Sequence, residues 1–231
     1  MTRRPRLYFS FRSPYSWMAI ERVRRRMPDL FQIADLFPYW DPDPVTERMV
    51  SERGAALYYQ QMSRAKHFYV LADTKRMAAR LGLAMAWPVD VDPWWELPHL
   101  GWIAARRAGQ AERCYEALVA ARWGRGENIC DRAVFRRVIA AAGLDATLAV
   151  AADDADVRAE GAQCLVTAYE DDVFGVPYVR LGWQRFWGLD RMELFLEEFT
   201  AAVPAAAPAP DAAVARIPVG AYDRDTAGGC G

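Results

Sequence analysis

The stretch Leu7–Met27, LYFSFRSPYSWMAIERVRRRM, joins a short apolar run to an amphipathic helical pattern through Ser13-Pro14. The run LYFSF is rich in aromatic residues and too short for a free-standing helix, so it predicts a buried strand. Ser13 is a favoured N-cap residue, and Pro14 suits the first helical position, where its missing N–H costs nothing. The helix that follows carries one apolar stripe, formed by Trp17, Ile20, Val23 and Met27. We therefore expect a strand that leads into a core-facing helix.

Ser13 has two possible roles at this helix start. The first turn of a helix presents unpaired N–H groups and the positive end of the helix dipole, which favour an anion such as a thiolate. Ser13 could instead do no more than cap the helix. These residues alone leave both roles open, with capping the more economical one.

The segment FSFRSPYSW resembles the S-P-Y-S opening of the 2-hydroxychromene-2-carboxylate isomerase and kappa-class glutathione transferase family, whose members are relatives of DsbA within the thioredoxin fold. DsbA-type oxidoreductases carry Cys-x-x-Cys at this turn. Here the turn reads Ser13-Pro14-Tyr15-Ser16, which excludes dithiol redox chemistry at this position. The resemblance implies that Ser13 is catalytic, and it makes Tyr15 a candidate for the substrate pocket.

The rest of the chain predicts a divided sheet. Pro28-Asp29 is typical of a turn, and residues 30–37 predict a second strand ended by Pro38, which completes a βαβ unit. Residues 41–170 form an all-helical insertion by their periodicity. Helices are expected around residues 45–59, 68–81, 97–108, 111–121, 132–142 and 155–170.

The sheet is expected to resume over residues 173–181. Gly182-Trp183 then suits a two-residue hairpin turn, and residues 184–187 return as an edge strand. Asp190 is the expected cap of the closing helix, with Glu193 completing a capping box. The predicted fold is α/β and thioredoxin-like, βαβ followed by ββα, in the arrangement of DsbA and the kappa class. Its domains are residues 1–40 with 171–202, the helical insertion 41–170, and a flexible Ala/Pro/Gly-rich tail over 203–231.

A second motif falls within the predicted insertion. Lys66, Tyr69, Asp73 and Arg76 share one helix face, and their pattern is similar to the A-K-x-x-Y-x-x-x-D-x-x-R helix of the same family. Spacing alone favours a solvated, ion-paired face. The resemblance implies instead that Lys66 holds a carboxylate of the thiol cofactor.

The segment Trp87–Trp95 is rich in turn residues and tryptophan. Trp94 and Trp95 are candidates to line a pocket for a flat conjugated substrate, since ring stacking contributes about 0.5–1.5 kcal/mol per pair. Packing of this loop onto the helical layer is an equally open alternative. His67 and His99 are the two histidines, and nothing in the sequence connects either of them to Ser13.

Two further motifs support the resemblance. Phe174-Gly175-Val176-Pro177 is similar to the family's F-G-[VL]-P, which implies a cis Pro177 and a Val176 main chain that pairs with the cysteinyl backbone of glutathione. From the residues alone, a trans proline that begins a strand is the alternative. FWGLDR, residues 186–191, is similar to F-W-G-x-D-R, which implies that Asp190, Arg191 and the helix start receive the γ-glutamyl end of glutathione.

The chain departs from the family pattern at two positions. Leu189 stands where relatives carry Ser, Asn or Gln, and the Asp41-Pro42-Asp43-Pro44 loop has no counterpart of the family's asparagine. The cofactor implied is thus glutathione or another low-molecular-weight thiol.

Composition narrows the class of function. The net charge of −1 over 231 residues gives no electrostatic reason to expect nucleic acid as a partner. The four cysteines and two histidines lack the spacing of a metal site, and no apolar run reaches the roughly 18 residues of a membrane span. We expect a cytoplasmic protein without a metal, and the resemblance implies a homodimer.

The leading functional hypothesis is a thiol-assisted cis-trans isomerase of a conjugated C=C bond in a small aromatic or polyene acid. The first alternative is a biosynthetic isomerase of a polyene or cinnamoyl acid that needs no thiol and acts on a free or carrier-bound substrate. A kappa-type glutathione transferase is the next, and a non-catalytic thioredoxin-fold binding scaffold is the alternative from another class.

Overall fold

Four short strands form one mixed sheet in a computed structural model that describes residues 4–57 and 62–201. The strands are β1 (Arg6–Phe9), β2 (Asp35–Pro38), β3 (Tyr178–Leu181) and β4 (Gln184–Trp187). Their spatial order is β2-β1-β3-β4, with β1 parallel to β2 and both remaining pairs antiparallel. This arrangement confirms the predicted thioredoxin-like fold.

Helix α1 (Pro14–Arg24) begins where the sequence predicts. The Ser13 hydroxyl oxygen accepts the N–H of Ser16 at 3.1 Å, and Pro14 fills the first helical position. The four residues of the predicted apolar stripe are all buried. The strand-to-helix turn is therefore held from both sides, by its cap and by the core.

The second predicted strand is only partly right. A short helix, α2 (Leu30–Ile33), occupies the first half of the segment, and β2 begins at Asp35. The N–H groups of Gln32 and Ile33 both bond to the carbonyl of Asp29, so the predicted turn continues into one helical turn. The apolar pattern did not reveal this helical turn, because a buried residue such as Leu30 suits a helix as well as a strand.

The third strand also begins later than predicted, at Tyr178 instead of Val173. The N–H of Val173 bonds to the carbonyl of Ala168 and so belongs to the end of the preceding helix. Pro177 has no N–H to contribute to a ladder, which sets the start of the strand.

Helices occupy most of the chain between β2 and β3. They are α3 (Pro44–Ser51), α4 (Arg64–Arg80), α5 (Glu96–Arg107), α6 (Ala111–Val119), a π-helical turn (Ala120–Gly124), α7 (Arg132–Ala141), a 3-10 segment (Ala146–Asp153) and α8 (Ala155–Glu170). Across the described ranges, none of the helices is long and apolar enough to cross a bilayer.

Two predicted helices have different bounds in the structure. The one expected around residues 45–59 ends at Ser51, and Tyr59 lies outside the described residues. Helix α4 starts before the predicted residue 68, because the Ser63 hydroxyl caps it by accepting the N–H of Lys66. The predicted tail, 203–231, also lies outside the described residues. The division into domains stays a prediction.

The predicted cap of the closing helix is wrong. A 3-10 turn (Leu189–Arg191) precedes helix α9 (Met192–Ala201), and Gly188 leads into it with a φ of 96°. The Asp190 carboxylate accepts a hydrogen bond from Arg191 at 2.6 Å and caps no backbone N–H. Glu193 pairs with Arg22 at 2.7 Å and Arg26 at 2.9 Å. Arg22 and Arg26 therefore take the carboxylate that the capping box needs.

Asp171 joins the end of α8 to the sheet. Its buried carboxylate accepts hydrogen bonds from Arg6 at 2.9 Å, from the Tyr8 hydroxyl and from Arg180. Burial and the neighbouring carboxylate raise the pKa of Tyr8, so this phenol stays a donor. One carboxylate thus connects the last helix of the insertion to both central strands.

The Asp171→Asn substitution is expected to lower the free energy of unfolding by about 2–3 kcal/mol, the cost of weakening hydrogen bonds to a buried charge. Urea denaturation measures the change. Asp172→Asn is the matched control, because its carboxylate is exposed and pairs with Arg185, and because residue 172 has a positive φ that Asn also adopts. The control should lose less than about 1 kcal/mol, and equal losses would contradict the role given to Asp171.

Candidate active site

The register of the strands brings four connecting segments to one edge of the sheet. Phe9 pairs with Pro38, Tyr8 with Tyr178, and Tyr178 with Trp187. The chain therefore leaves β1, β2 and β4 and enters β3 at the same edge. The segments that meet there are residues 10–13, 39–43, 174–177 and 188–191.

Ser13 is half-buried at the start of α1. Its oxygen accepts the Ser16 N–H, while its own hydrogen has no acceptor among the described residues. The Ser16 hydroxyl is buried and accepts the N–H of Ser10 at 3.2 Å, which ties the turn back to the end of β1. Ser13 thus offers one free hydroxyl hydrogen at the positive end of a helix.

His99 supports this turn from the helical layer. The residue is fully buried in α5, and its Nε2 accepts the N–H of Phe11 at 3.2 Å. Nδ1 must then carry the hydrogen, which it donates to the carbonyl of Trp95 at 2.7 Å. The ring stacks on Trp40 with centroids 5.1 Å apart.

Burial lowers the pKa of His99 to about 3, so the imidazole is neutral and both of its nitrogens are engaged. His99 is thus a fixed acceptor for the backbone of the Ser13 turn and not an acid or base in the reaction. The sequence carries no signal for this contact, since 88 positions separate Phe11 from His99.

Tyr15 connects two of the motifs. Its hydroxyl donates to the Asp73 carboxylate at 2.7 Å, and Asp73 lies 3.8 Å from Arg76. Burial and the Asp73 carboxylate raise the pKa of Tyr15, which keeps it protonated. The start of α1 is therefore fixed to the middle of α4. A role for Tyr15 in a substrate pocket stays a prediction.

Lys66 lies on the first half of α4, where every residue from 64 to 69 is exposed. It precedes Asp73 by seven positions, about 10 Å along the helix axis. Its role as a carboxylate-binding residue stays a prediction.

The peptide bond between Val176 and Pro177 is cis, as the motif resemblance implies. The Pro177 carbonyl accepts the N–H of Gly188 at 3.0 Å, which ties this loop to the turn before α9. Within the described residues, the main-chain N–H and C=O of Val176 have no partner. A Cβ at Gly175 would lie 2.9 Å from Nε1 of Trp187, so a side chain at that position would displace the indole.

Asp190 and Arg191 are exposed next to this loop and pair with each other. Leu189 is buried and offers no polar group. The exposed ion pair can be redirected toward a ligand at little cost, since surface pairs contribute about 0–1 kcal/mol.

Neither Trp94 nor Trp95 presents an exposed ring that could line the predicted substrate pocket. Trp95 is buried against the guanidinium of Arg122, at 4.8 Å. Trp94 donates its indole N–H to Asp43 at 3.1 Å, and Arg132 lies 4.8 Å from its ring. The structure thus favours the alternative in which this loop packs onto the helical layer.

Comparison with known proteins agrees with this geometry. The family model described as a DSBA-like thioredoxin domain matches residues 6–200. A 2-hydroxychromene-2-carboxylate isomerase from Sphingobium xenophagum is 28% identical over 205 residues, which cover 86% of this chain and 98% of that protein.

Two solved structures share the fold. One is a 2-hydroxychromene-2-carboxylate isomerase with a TM-score of 0.64 and 22% identity, over 86% of this chain and 95% of that one. The other is a probable DsbA oxidoreductase from Streptomyces coelicolor, with a TM-score of 0.64 and 17% identity over 88% and 91% of the two chains. At these identities the likeness supports the fold alone.

The buried, neutral His99 should make the protein sensitive to acid. Its pKa is lower in the folded than in the unfolded chain, so the unfolded state takes up the proton first and stability is lost as the pH falls from 6.5 toward 3. This histidine should contribute a slope of about 1.4 kcal/mol per pH unit in that window. His99→Gln should remove that slope in urea denaturation series at stepwise pH. His67→Gln, at the exposed second histidine, is the control and should leave the slope unchanged. A His99→Gln profile parallel to that of the parent would contradict the neutral-acceptor role.

Proposed function

The chain belongs to the DSBA-like thioredoxin family, and from that membership we propose that it is an isomerase acting on a conjugated C=C bond of an aromatic or polyene acid. The observation that carries the proposal is Ser13, a free hydroxyl donor at a helix start where redox relatives carry a cysteine. The 28% identical isomerase matches over almost its whole length, which supports the same reaction class.

The described cysteines do not support a redox role. Cys114, Cys130 and Cys164 are all buried, and burial raises the pKa of each thiol. A raised pKa keeps these sulfurs protonated, whereas the thiolate is the reactive form. None of the three lies in the turn that heads α1.

The residues at the sheet edge fit a small thiol such as glutathione in its cysteinyl part. The unpaired main-chain groups of Val176 would hold an extended backbone beside the turn of Ser13. Asp190 and Arg191 would meet the amino and carboxylate groups of the γ-glutamyl end, and Lys66 a further carboxylate. When bound, the thiol would supply a nucleophilic sulfur for a reversible addition to the conjugated system.

The chain itself stabilises negative charge in this scheme. The Ser13 hydroxyl can donate a hydrogen bond to an anion held at this edge of the sheet, and the N-terminus of α1 adds a partial positive charge. A hydrogen bond to a charged group contributes about 1.5–3 kcal/mol, which corresponds to a pKa lowered by about 1–2 units for an anion held there. His99 and Ser16 hold the backbone of the turn in place, so the position of the Ser13 side chain is supported before a ligand arrives.

A thiol-independent isomerase of a polyene or cinnamoyl acid is the second candidate, and two observations favour it. Leu189 is buried where relatives carry a polar residue, and Asp43 of the 41–44 loop is already engaged by Arg158 and Trp94. Glutathione would therefore find fewer polar partners here than the family pattern provides. Both candidates use the same edge of the sheet.

Ser13→Ala should lower kcat for isomerisation of 2-hydroxychromene-2-carboxylate by about 10²-fold, the typical effect of removing one preorganised donor. Absorbance assays across neutral and alkaline pH measure it. The substitution also removes a helix cap, which costs about 1 kcal/mol of stability. Asp131→Ala, which removes the cap of α7, is therefore the control and should keep the parent rate. An unchanged rate in folded Ser13→Ala would contradict the proposal.

Glutathione should raise the melting temperature, because a ligand that binds only the native state stabilises it by about 2.7 kcal/mol at 100 times its Kd. Differential scanning calorimetry measures the shift, which Asp190→Ala should reduce. Isomerisation at full rate without any thiol, together with no thermal shift, would favour the thiol-independent candidate instead.

A further inference from the structure

A buried arginine lies beside the candidate site and has no part in the function proposed above. Arg122 belongs to the π-helical turn and is 3% exposed. Its two terminal nitrogens bond to the two oxygens of Asp90, at 2.9 and 2.7 Å. This bidentate pairing is the geometry in which a guanidinium binds a carboxylate most strongly.

Aromatic rings fix the plane of this guanidinium. Its central carbon lies 4.8 Å from the ring of Trp95 and 4.7 Å from that of Trp123. Trp123 in turn stacks on Trp17 of α1, with centroids 6.0 Å apart and planes 11° apart. Arg122 is therefore held rigidly in a flat aromatic cage that includes the helix headed by Ser13.

Two donors in this cage lack acceptors. The Nε of Arg122 and the indole Nε1 of Trp123 are both buried, and neither has a hydrogen-bond partner among the described residues. A buried donor without an acceptor costs about 1–3 kcal/mol. Asp90 alone therefore does not satisfy the hydrogen-bonding capacity of the cage, and a ligand with further oxygens would find donors there.

Asp90 reaches the cage from the loop between α4 and α5. Its neighbours Val89 and Val91 are 78% and 73% exposed, and Asp92 has a φ of 43°. The loop thus turns its apolar side chains toward water and its carboxylate toward the interior. This is the reverse of the usual preference, and the ion pair with Arg122 compensates for it.

The cage is connected to the turn of Ser13 by direct contacts. The ring of Trp95 is one wall of the cage, and its main-chain carbonyl accepts the Nδ1 hydrogen of His99. The Nε2 of His99 in turn accepts the N–H of Phe11.

We propose that Arg122 binds the carboxylate of the conjugated acid and that Asp90 is an internal substitute which this carboxylate displaces. The inference rests on the proposed function, because it takes an aromatic or polyene acid as the substrate. The exchange replaces one carboxylate by another at the same guanidinium, so no buried charge is left unpaired. The displaced Asp90 regains hydration as its loop moves outward, and the body of the acid occupies the space that the loop leaves.

This arrangement favours the binding of acids over that of neutral analogues. A neutral analogue offers no charge to replace Asp90, so it leaves the ion pair closed. A purely structural ion pair makes the opposite prediction for Asp90, because its removal would then weaken the protein without improving the binding of any ligand.

The test measures binding of trans-cinnamate by quenching of tryptophan fluorescence, with no thiol present. Asp90→Asn should bind cinnamate about tenfold tighter than the parent, because the internal competitor has lost its charge. Asp92→Asn changes an exposed carboxylate two positions along the same loop and should match the parent. Cinnamamide, the neutral analogue, should bind equally to all three proteins.

The proposal is overturned if Asp90→Asn binds cinnamate no tighter than the parent, if cinnamamide gains as much as cinnamate, or if none of the proteins binds cinnamate. Arg122→Lys should weaken cinnamate binding at least about tenfold, since lysine lacks the planar bidentate fork. If circular dichroism shows that this variant does not fold, the comparison of Asp90→Asn with Asp92→Asn still decides.

The assay needs neither turnover nor Ser13. Failure of the isomerase proposal, seen as unchanged activity in Ser13→Ala, is thereby distinguishable from failure of the Arg122 site, seen as unchanged cinnamate binding in Asp90→Asn.

Discussion

The hydrogen bond from the N–H of Phe11 to the neutral ring of His99 is the constraint on which the candidate site depends. A backbone N–H that leaves a strand inside the protein must find an acceptor. A charged imidazole would offer none, so the burial that lowers the pKa of His99 also keeps its acceptor nitrogen available. Because His99 belongs to the helical layer and Phe11 to the turn that follows β1, the sheet and its turn alone do not position Ser13.

The polar groups at the two ends of the sheet have different roles. At one end, Asp171 gathers two arginines and a tyrosine around a buried carboxylate and fixes α8 to the strands. At the other end, the Ser13 hydrogen and the main chain of Val176 have no partner among the described residues. Satisfied polar groups give stability, and unsatisfied ones give binding capacity. The strands lie between these two sets of polar groups, with one set at each end of the sheet.

Local patterns made much of this structure predictable from sequence. The cap at Ser13, the apolar stripe of α1 and the hairpin at Gly182 follow from neighbours a few positions apart. Predictions went wrong where a distant partner decided the outcome, as when Arg22 and Arg26 drew Glu193 out of its capping box. His99 and the Arg122–Asp90 pair were not found for the same reason, because only the packed helices bring these groups together.

Gly175 restricts how the residues around the candidate site can be changed. The N–H of Gly188, the residue after Trp187, donates a hydrogen bond to the Pro177 carbonyl. A side chain at position 175 would meet the indole of Trp187. A single added methyl group would therefore displace that indole. Mutagenesis libraries should hold residue 175 constant and diversify Phe174, whose ring is half-exposed and contacts the rings of Tyr178 and Trp187.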